Sequence, residues 1–475
     1  MRIKIVINFC LLLLVCGHVG AVHAAAANPV SEEKWQAIDN GLIKTKTVRF
    51  ANGDTYWMKR IEFLSDQASP YSLFIPLSGY EATFRYVDPL AAEPAWLSIP
   101  LSTTLPARSG FLQTEQMSML MNASNLFQTV HSGTVEEQPN YLPIYVYPTA
   151  EGYTLEVQIP QQANFVAEVW GLTSNQPLID WEYDSAAEVI WHKIDLQYET
   201  KWSWDGFYVK TPATYTPYSA QSFWRLPTNY AAYWLLTEEN SRASDELVWV
   251  MLDTALANQN EAGYWETLPQ SNWLWQDYGI GPNFFDTRFN TDIASLLLKG
   301  YEKYHRAEFL QAAKMYAAFL MQHMNENHYL TYGTQEGWLV QDYGWTQPHL
   351  PTHVSLNHQL QEMNFLYQLY LVTEQPVYRD YADKLLYGIK NTGQRWLKPD
   401  GNLHYAYLND GTFGLQDYPY LTYNDLVEAQ NLLSRLYGMT DPDLLELMSS
   451  KKRWMDENGI YDYRSPEFSF EPLTD

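Results

Sequence analysis

The sequence predicts an α+β multidomain chain: an N-terminal antiparallel β-sandwich or barrel, then an α/α toroid of about four helical hairpins. Three observations predict it. Apolar residues alternate with period two from about 45 to 198, they switch to a helical period after about 201, and the helical part repeats itself.

The first residues read as a segment outside the fold. Arg2 and Lys4 form a basic start, 5–16 is an apolar run too short to span a bilayer, and Val22-His23-Ala24 is a small-residue cleavage site. The expectation is a signal peptide over 1–26, a β-rich domain over 27–200, an α/α-barrel domain over 201–475, and a secreted or periplasmic protein. A lipoprotein reading at Cys16 is the weaker choice, because bulky Val15 precedes it. Both cysteines, Cys10 and Cys16, fall in this segment, so the mature chain has no disulfide, thiol nucleophile or cysteine metal site.

In the β region, the runs 47–50 and 55–58 flank Asn52-Gly53, a strong hairpin signal. The alternation continues at 144–147, 153–157 and 165–170, and strands are also expected at 179–183 and 189–198. Residues 117–127 suit helix or strand.

In the helical region, Gln276-Asp277-Tyr278-Gly279, Gln341-Asp342-Tyr343-Gly344 and Gln416-Asp417-Tyr418-Pro419 recur, with Trp204-Asp205-Gly206-Phe207 as a weaker first member, at roughly 65–75-residue intervals. Each precedes an Asn (229, 290, 357, 424) and an apolar helix such as Ile293, Leu296, Leu297 and Gly300. Ser241, Pro376 and Asp441-Pro442 are helix starts. One hairpin cannot bury both its faces, so the units must stack and curve, which brings the recurrent Asp and Tyr residues to one rim.

With 30 Lys+Arg against 55 Asp+Glu the formal charge is −25, which argues against nucleic acid and anionic lipid as partners. No later segment is apolar enough to insert in a membrane, and the oligomeric state is not legible. The 36 Tyr and 18 Trp suit a polysaccharide cleft lined by flat rings, and equally suit packing between hairpins. Asp277-Tyr278, Asp342-Tyr343 and Asp417-Tyr418 are the first site candidates, with loop capping and packing as the alternative. Asp286 and Asp292 suit a glycosidase carboxylate pair or helix capping, and Arg288 suits a substrate carboxylate or an Asp–Arg pair. His349, His353 and His358 are too loosely spaced across Pro351 for zinc, which leaves proton transfer for His353 or His358. No metal site is expected, and without a P-loop, dinucleotide fingerprint or G-x-S-x-G pattern no cofactor is expected either.

Asp417-Tyr418, followed by Asn424-Asp425-Leu426, resembles the D-Y-x5-N-Q-L motif of D-glucuronyl C5-epimerases. Trp338, Asp342-Tyr343 and Leu356-Asn357 are similar to that family's W…E-Y…L-N segment, and the resemblance spans about 272–440. It implies a four-hairpin α/α barrel beside β-rich domains, and inversion of a uronic acid by proton removal and return at C5. It also implies that Tyr343 and Tyr418 match family tyrosines and Asp342 the family's Glu. The family's I-Y-D-x-R segment is absent; 403–407 stands there without its Arg, so Tyr405 or His404 takes the third tyrosine's place, and Arg288 or Arg395 the cation's. A lyase, an inverting hydrolase using Asp286, Asp342 or Asp417, and a non-catalytic carbohydrate-binding protein are the alternatives.

Overall fold

A computed structural model describes residues 28–88, 95–101, 104–131, 133–138, 143–184 and 186–460. The expected signal segment lies outside the described residues. The chain is β-rich at its N-terminal side and helical at its C-terminal side.

The β region is a layered antiparallel structure. Gly41–Arg49 and Thr55–Phe63 form the hairpin signalled by Asn52-Gly53, where Gly53 takes φ 94°. The strand Phe165–Ser174 is the spine: Thr55–Phe63 pairs along one edge, while Ser118–Met121 and Asn125–His131 share the other. Residues 117–127 are thus largely strand. Alternate residues of the spine face opposite layers. Ala167 and Val169 pack toward the smaller sheet containing Tyr71–Ser78 and Gly152–Ile159, whereas Trp170 and Leu172 join the core shared with the helices.

Two expected strands are corrected. Residues 181–183 are turn, held where Asp180 O accepts the Tyr183 and Asp184 amides. Residues 187–194 are a helix, α1 (Ala187–Ile194), because Ala187, Ile190, Trp191 and Ile194 fall at helical spacing and all are buried on the sheet's outer face. The sheet also continues past residue 200: Thr200–Ser203, Gly206–Lys210 and Ser222–Arg225 extend it through Thr134–Glu137. Trp204-Asp205 is therefore in a β-hairpin turn rather than a loop leading to a helix.

The helices are α2 (Tyr230–Thr237), α3 (Arg242–Asn258), a short α4 (Asn272–Tyr278), α5 (Thr287–Tyr304), α6 (Ala307–Glu326), α7 (Leu356–Thr373), α8 (Pro376–Thr392), α9 (Leu421–Tyr437) and α10 (Pro442–Glu457). Consecutive pairs α2/α3, α5/α6, α7/α8 and α9/α10 pack together, and α5, α7 and α9 lie side by side. Asn229, Ser241 and Asp441 cap α2, α3 and α10 by accepting amides of their first turns, and Pro376 opens α8. The stripe Ile293, Leu296, Leu297 and Gly300 is buried.

The central helix α7 is buried almost all round from Leu356 to Tyr367. Its Gln359 accepts the Val340 amide and donates to Trp338 O at 2.7 Å, which stitches the strand Glu336–Val340 onto it. That strand crosses α8 so closely that a Cβ on Gly388 would stand 2.0 Å from Trp338 O. Across the junction with the β region, Arg242 pairs with buried Asp54, and Asn52 donates to Glu246 at 2.7 Å.

Candidate functional site

The loops that precede α5, α7 and α9 are knitted by short antiparallel bridges. Phe285–Asp286 pairs with Tyr343–Gly344, and Val354–Ser355 pairs with 406–407 of the strand His404–Tyr407. These bridges bring Asp286, Tyr343, Ser355 and Tyr405 to the N-terminal ends of the three helices.

Asp286 caps α5: its Oδ1 accepts the Phe289 amide at 3.0 Å, and the Arg288 amide is a second backbone donor on the carboxyl. Burial pushes its carboxyl up to about 7; the Phe289 amide pulls it down and the nearby Asp342 charge raises it further.

Asp342 is fully buried, yet its environment acts in the opposite direction. Oδ1 accepts the Ser355 amide at 2.8 Å, and Oδ2 accepts the Ser355 hydroxyl. His353 Nε2 and His358 Nδ1 stand 3.2 and 3.7 Å from Oδ2. Burial works to raise this carboxyl, but the two imidazoles and the Ser355 donors outweigh it and hold it below the usual range. His358 is itself pushed down to about 4 by burial, so at neutral pH it is uncharged, and the lasting hold on Asp342 comes from the donors.

His353 links Asp342 to Tyr278. The Tyr278 hydroxyl lies 2.8 Å from Nδ1, and on the far side of the ring Nε2 faces Asp342, off the line an aligned N–H bond requires. Tyr278 is half-buried, and burial raises its phenol to about 12. Around this row stand more rings. His353 lies 5.3 Å from Trp273, 5.7 Å from Tyr343 and 5.8 Å from Tyr405, and Tyr405 meets Tyr418 edge-on at 5.7 Å. Burial holds the phenols of Tyr343 and Tyr405 well above their usual range, so both stay protonated and act as donors. Tyr418 is 48% exposed and faces the open side.

Other sequence candidates have structural employment. Arg288 is buried, makes two bonds to Asp425 (2.7 and 3.2 Å), bonds Asp292 through Nε, and donates to Asn357 O. It ties α5, α7 and α9 together, which is the Asp–Arg pair of the two roles the sequence allowed it. Asp292 belongs to the same pair. Asp417 is buried against Lys451 at 2.7 Å and accepts the Thr422 hydroxyl at 2.6 Å, so it too is a fold element. Asp277 is exposed at the end of α4, next to the left-handed Gly279. His404 packs toward Phe413, away from the rim, and Arg395 donates to Gly411 O. His349 is exposed and bonds Gln347 O.

The sequence reading missed Tyr215, which stacks on Trp224 at 5.2 Å and whose buried phenol feels the Asp286 charge, and also Trp273, Ser355, Thr287 and Glu362. Glu362 is fully buried one helical turn beyond His358, and neither carboxyl oxygen has a hydrogen-bond partner of good geometry. Burial raises it well above its usual range, partly offset by the Thr287 hydroxyl, so it is neutral. An acidic residue inside the most apolar run of α7 was the available signal. Tyr215 and Trp273 gave none, because their partners come from loops distant in sequence.

No protein-family model and no curated protein matches this chain. Among solved structures it is similar to a family 76 glycoside hydrolase from a bovine Bacteroides thetaiotaomicron strain, at 11% identity and TM-score 0.40, over 90% of this chain and 78% of that one. It is similar to a D-mannose isomerase at 17% identity and TM-score 0.36 (47% and 56% covered). A cellobiose 2-epimerase from Spirochaeta thermophila matches at 13% identity and TM-score 0.35 (48% and 58% covered). At TM-scores of 0.40 and below, these similarities assign neither a family nor an activity.

Proposed function

We propose that the protein is a carbohydrate-modifying enzyme of the C5-epimerase-like kind, acting by proton transfer where α5, α7 and α9 begin, on a ring of four helical hairpins. The observation that carries the reading is the pair of unlike groups flanking Tyr343: the near-neutral Asp286 carboxyl on one side and the Tyr278–His353–Asp342 row on the other.

The chemistry follows from their states. Removing a proton next to a uronate carboxylate builds negative charge on the carboxyl oxygens, and that charge needs donors already in place. Arg288 is committed to Asp425, so protonated Asp286 and the Tyr343 and Tyr405 hydroxyls take the place of a cation. An apolar site can hold a carboxyl neutral for this donor role. On the other side Tyr278 acts as a relay: its hydroxyl oxygen takes the C5 proton as its own proton passes along the 2.8 Å hydrogen bond to His353 Nδ1, so no free phenolate has to form. Asp342 never reaches substrate and is a positioning residue. Tyr418 supplies a flat, open ring for the sugar face.

A second reading is hydrolysis, with Asp286 protonating the glycosidic oxygen. A carboxyl titrating near 7 favours it, as does the chain's charge of −25, which repels polyanions. Proton NMR in D2O with glucuronate-containing and neutral polysaccharides separates the two. Loss of an H5 signal from an intact chain is the expected result. New anomeric end signals move the assignment to hydrolysis, an alkene signal to a lyase, and an unchanged spectrum across both panels sinks the enzymatic reading.

A further inference from the structure

The proton transfers assigned to the rim leave one buried acid unused. Glu362 has no exposed surface, stands one helical turn beyond His358 on α7, and neither carboxyl oxygen has a well-aligned hydrogen-bond partner. No described lysine or arginine pairs with it, and the charges it feels are those of Asp342 and Asp286. Burial and like charge both favour the protonated form, which carries one O–H that must be placed.

The hydroxyl within its reach is that of Thr287, the residue after Asp286. Thr287 Oγ1 in turn lies 2.8 Å from His358 Nδ1. The hydrogens fit this row in two ways. In the first, Glu362 donates to Thr287, Thr287 donates to Nδ1, and the imidazole proton sits on Nε2. In the second, Nδ1–H donates to Thr287, the Thr287 hydrogen turns to Glu362, and the carboxylic O–H is stranded in the core. A stranded buried donor is costly, so the first arrangement is favoured. Asp342 Oδ2, which would draw a proton to Nδ1, stands 3.7 Å away, beyond hydrogen-bond distance, and already accepts the Ser355 hydroxyl.

Nε2 is at the opposite edge of the ring. It meets no described partner and keeps accessible surface, in contrast to the sealed Glu362 oxygens. The ring stands 5.8 Å from Tyr343, the residue that Asp286 and the Tyr278 row flank. Burial keeps this imidazole uncharged at neutral pH, and an uncharged imidazole with its N–H fixed in direction is a preorganised donor.

We infer that His358 is a further catalytic residue, whose Nε2–H donates to the substrate oxygen that gains charge, and that Glu362, acting through Thr287, is the positioning residue that sets this tautomer. The catalytic half rests on the proton-transfer reading of the rim; the tautomer rests on the hydrogen-bond row alone.

The test is nitrogen NMR of the isotope-labelled full chain, with the His358 signals assigned by their loss in His358→Asn, set beside initial rates. Expected is a proton on Nε2 in the parent and in Glu362→Gln, whose amide N–H donates to Thr287 as the carboxylic O–H did. In Thr287→Val and Glu362→Leu the proton moves wholly or partly to Nδ1, and kcat falls about tenfold or more with little change in KM. Glu362→Gln recovers most of the loss seen in Glu362→Leu. A proton on Nδ1 in the parent overturns the proposal. So does a tautomer change in Thr287→Val that leaves kcat intact, and so does a Glu362→Gln variant as impaired as Glu362→Leu. A parent that turns over no saccharide sinks the functional reading and the catalytic role of His358 with it, while the NMR still decides whether Glu362 sets the tautomer. Should Thr287→Val fail to fold, Glu362→Gln against Glu362→Leu decides.

Discussion

The rim has two ends that look alike in sequence and differ in chemistry. At the α9 end, Asp417 is met by Lys451 and Thr422, and Asp425 by Arg288; every charge there has a partner. At the α5 end, buried Asp286 is met by backbone amides, buried Glu362 by the Thr287 hydroxyl at best, and Asp342 is held by donors and imidazoles rather than by a lysine or arginine. The near-identical Gln-Asp-Tyr segments therefore do unlike work. Where a buried lysine or arginine has been supplied, the carboxylate secures packing. Where neither a cation nor a set of donors like that around Asp342 has been supplied, as at Asp286, burial pushes the carboxyl up and it is available for chemistry.

The comparison breaks most sharply at Lys451. Lys451→Met leaves Asp417 buried without its cation, and the expected loss is about 3–5 kcal/mol of stability. Urea unfolding measures it, and adding Asp417→Asn should recover much of the loss by removing the stranded charge. A single variant as stable as the parent would mean the pair is not what holds that end together.

At the α5 end the expectation is the reverse. Asp286→Asn keeps a capping side chain, so the unfolding midpoint should barely move, while turnover falls by about 10²–10³-fold. Its rate should also lose the pH dependence near 7 that the parent shows. If stability falls and turnover does not, Asp286 is a cap only. Tyr278→Phe is the next step down, with an expected loss of about a hundredfold in kcat and little change in KM, read from initial rates. Equal losses in both variants would favour their acting together across Tyr343.

Much of the layout was legible in the sequence. The Asn52-Gly53 hairpin, the caps of α2, α3 and α10 and the buried stripe of α5 all follow from local rules, and local rules survive folding. Of the recurrent Asp and Tyr residues expected at one rim, Tyr278, Asp342 and Tyr343 stand around His353, whereas Asp205 lies in a β-hairpin turn. What was not legible is who partners whom. Arg288 reads equally as a ligand reader or a strut until Asp425, far along the chain, is seen against it. The helix at 187–194 was hidden because a short apolar run fits either period, and only burial of Ala187, Ile190, Trp191 and Ile194 on one face decides it. The polar residues of α7 could not be placed inside from an amphipathic rule, since that helix has almost no outward face.

The smallest effect sharpens the same contrast across the whole molecule. Burial raises the folded-state carboxyls of Asp425 to about 6, of Asp286, Glu168 and Glu239 to about 7, and of Glu246 to about 9. A group whose folded pKa is raised contributes stability that is complete below its unfolded value, about 4, and is lost as pH rises through the folded value. Asp342, held low, acts in the opposite sense below about pH 4, and His358, held down to about 4, opposes the decline up to its unfolded value of about 6.5, so the fall is shallower there than above it. Stability should therefore decline from pH 5 to 9, by up to about 1.4 kcal/mol per pH unit for each proton by which the states differ. Urea midpoints across that range check it, and a midpoint that rises with pH would contradict the burial assigned to these carboxyls. In Asp286→Asn the slope around pH 7 should become shallower, with Glu168 and Glu239 still titrating there, whereas in the Asp417→Asn, Lys451→Met pair it should persist with the Asp286 contribution intact.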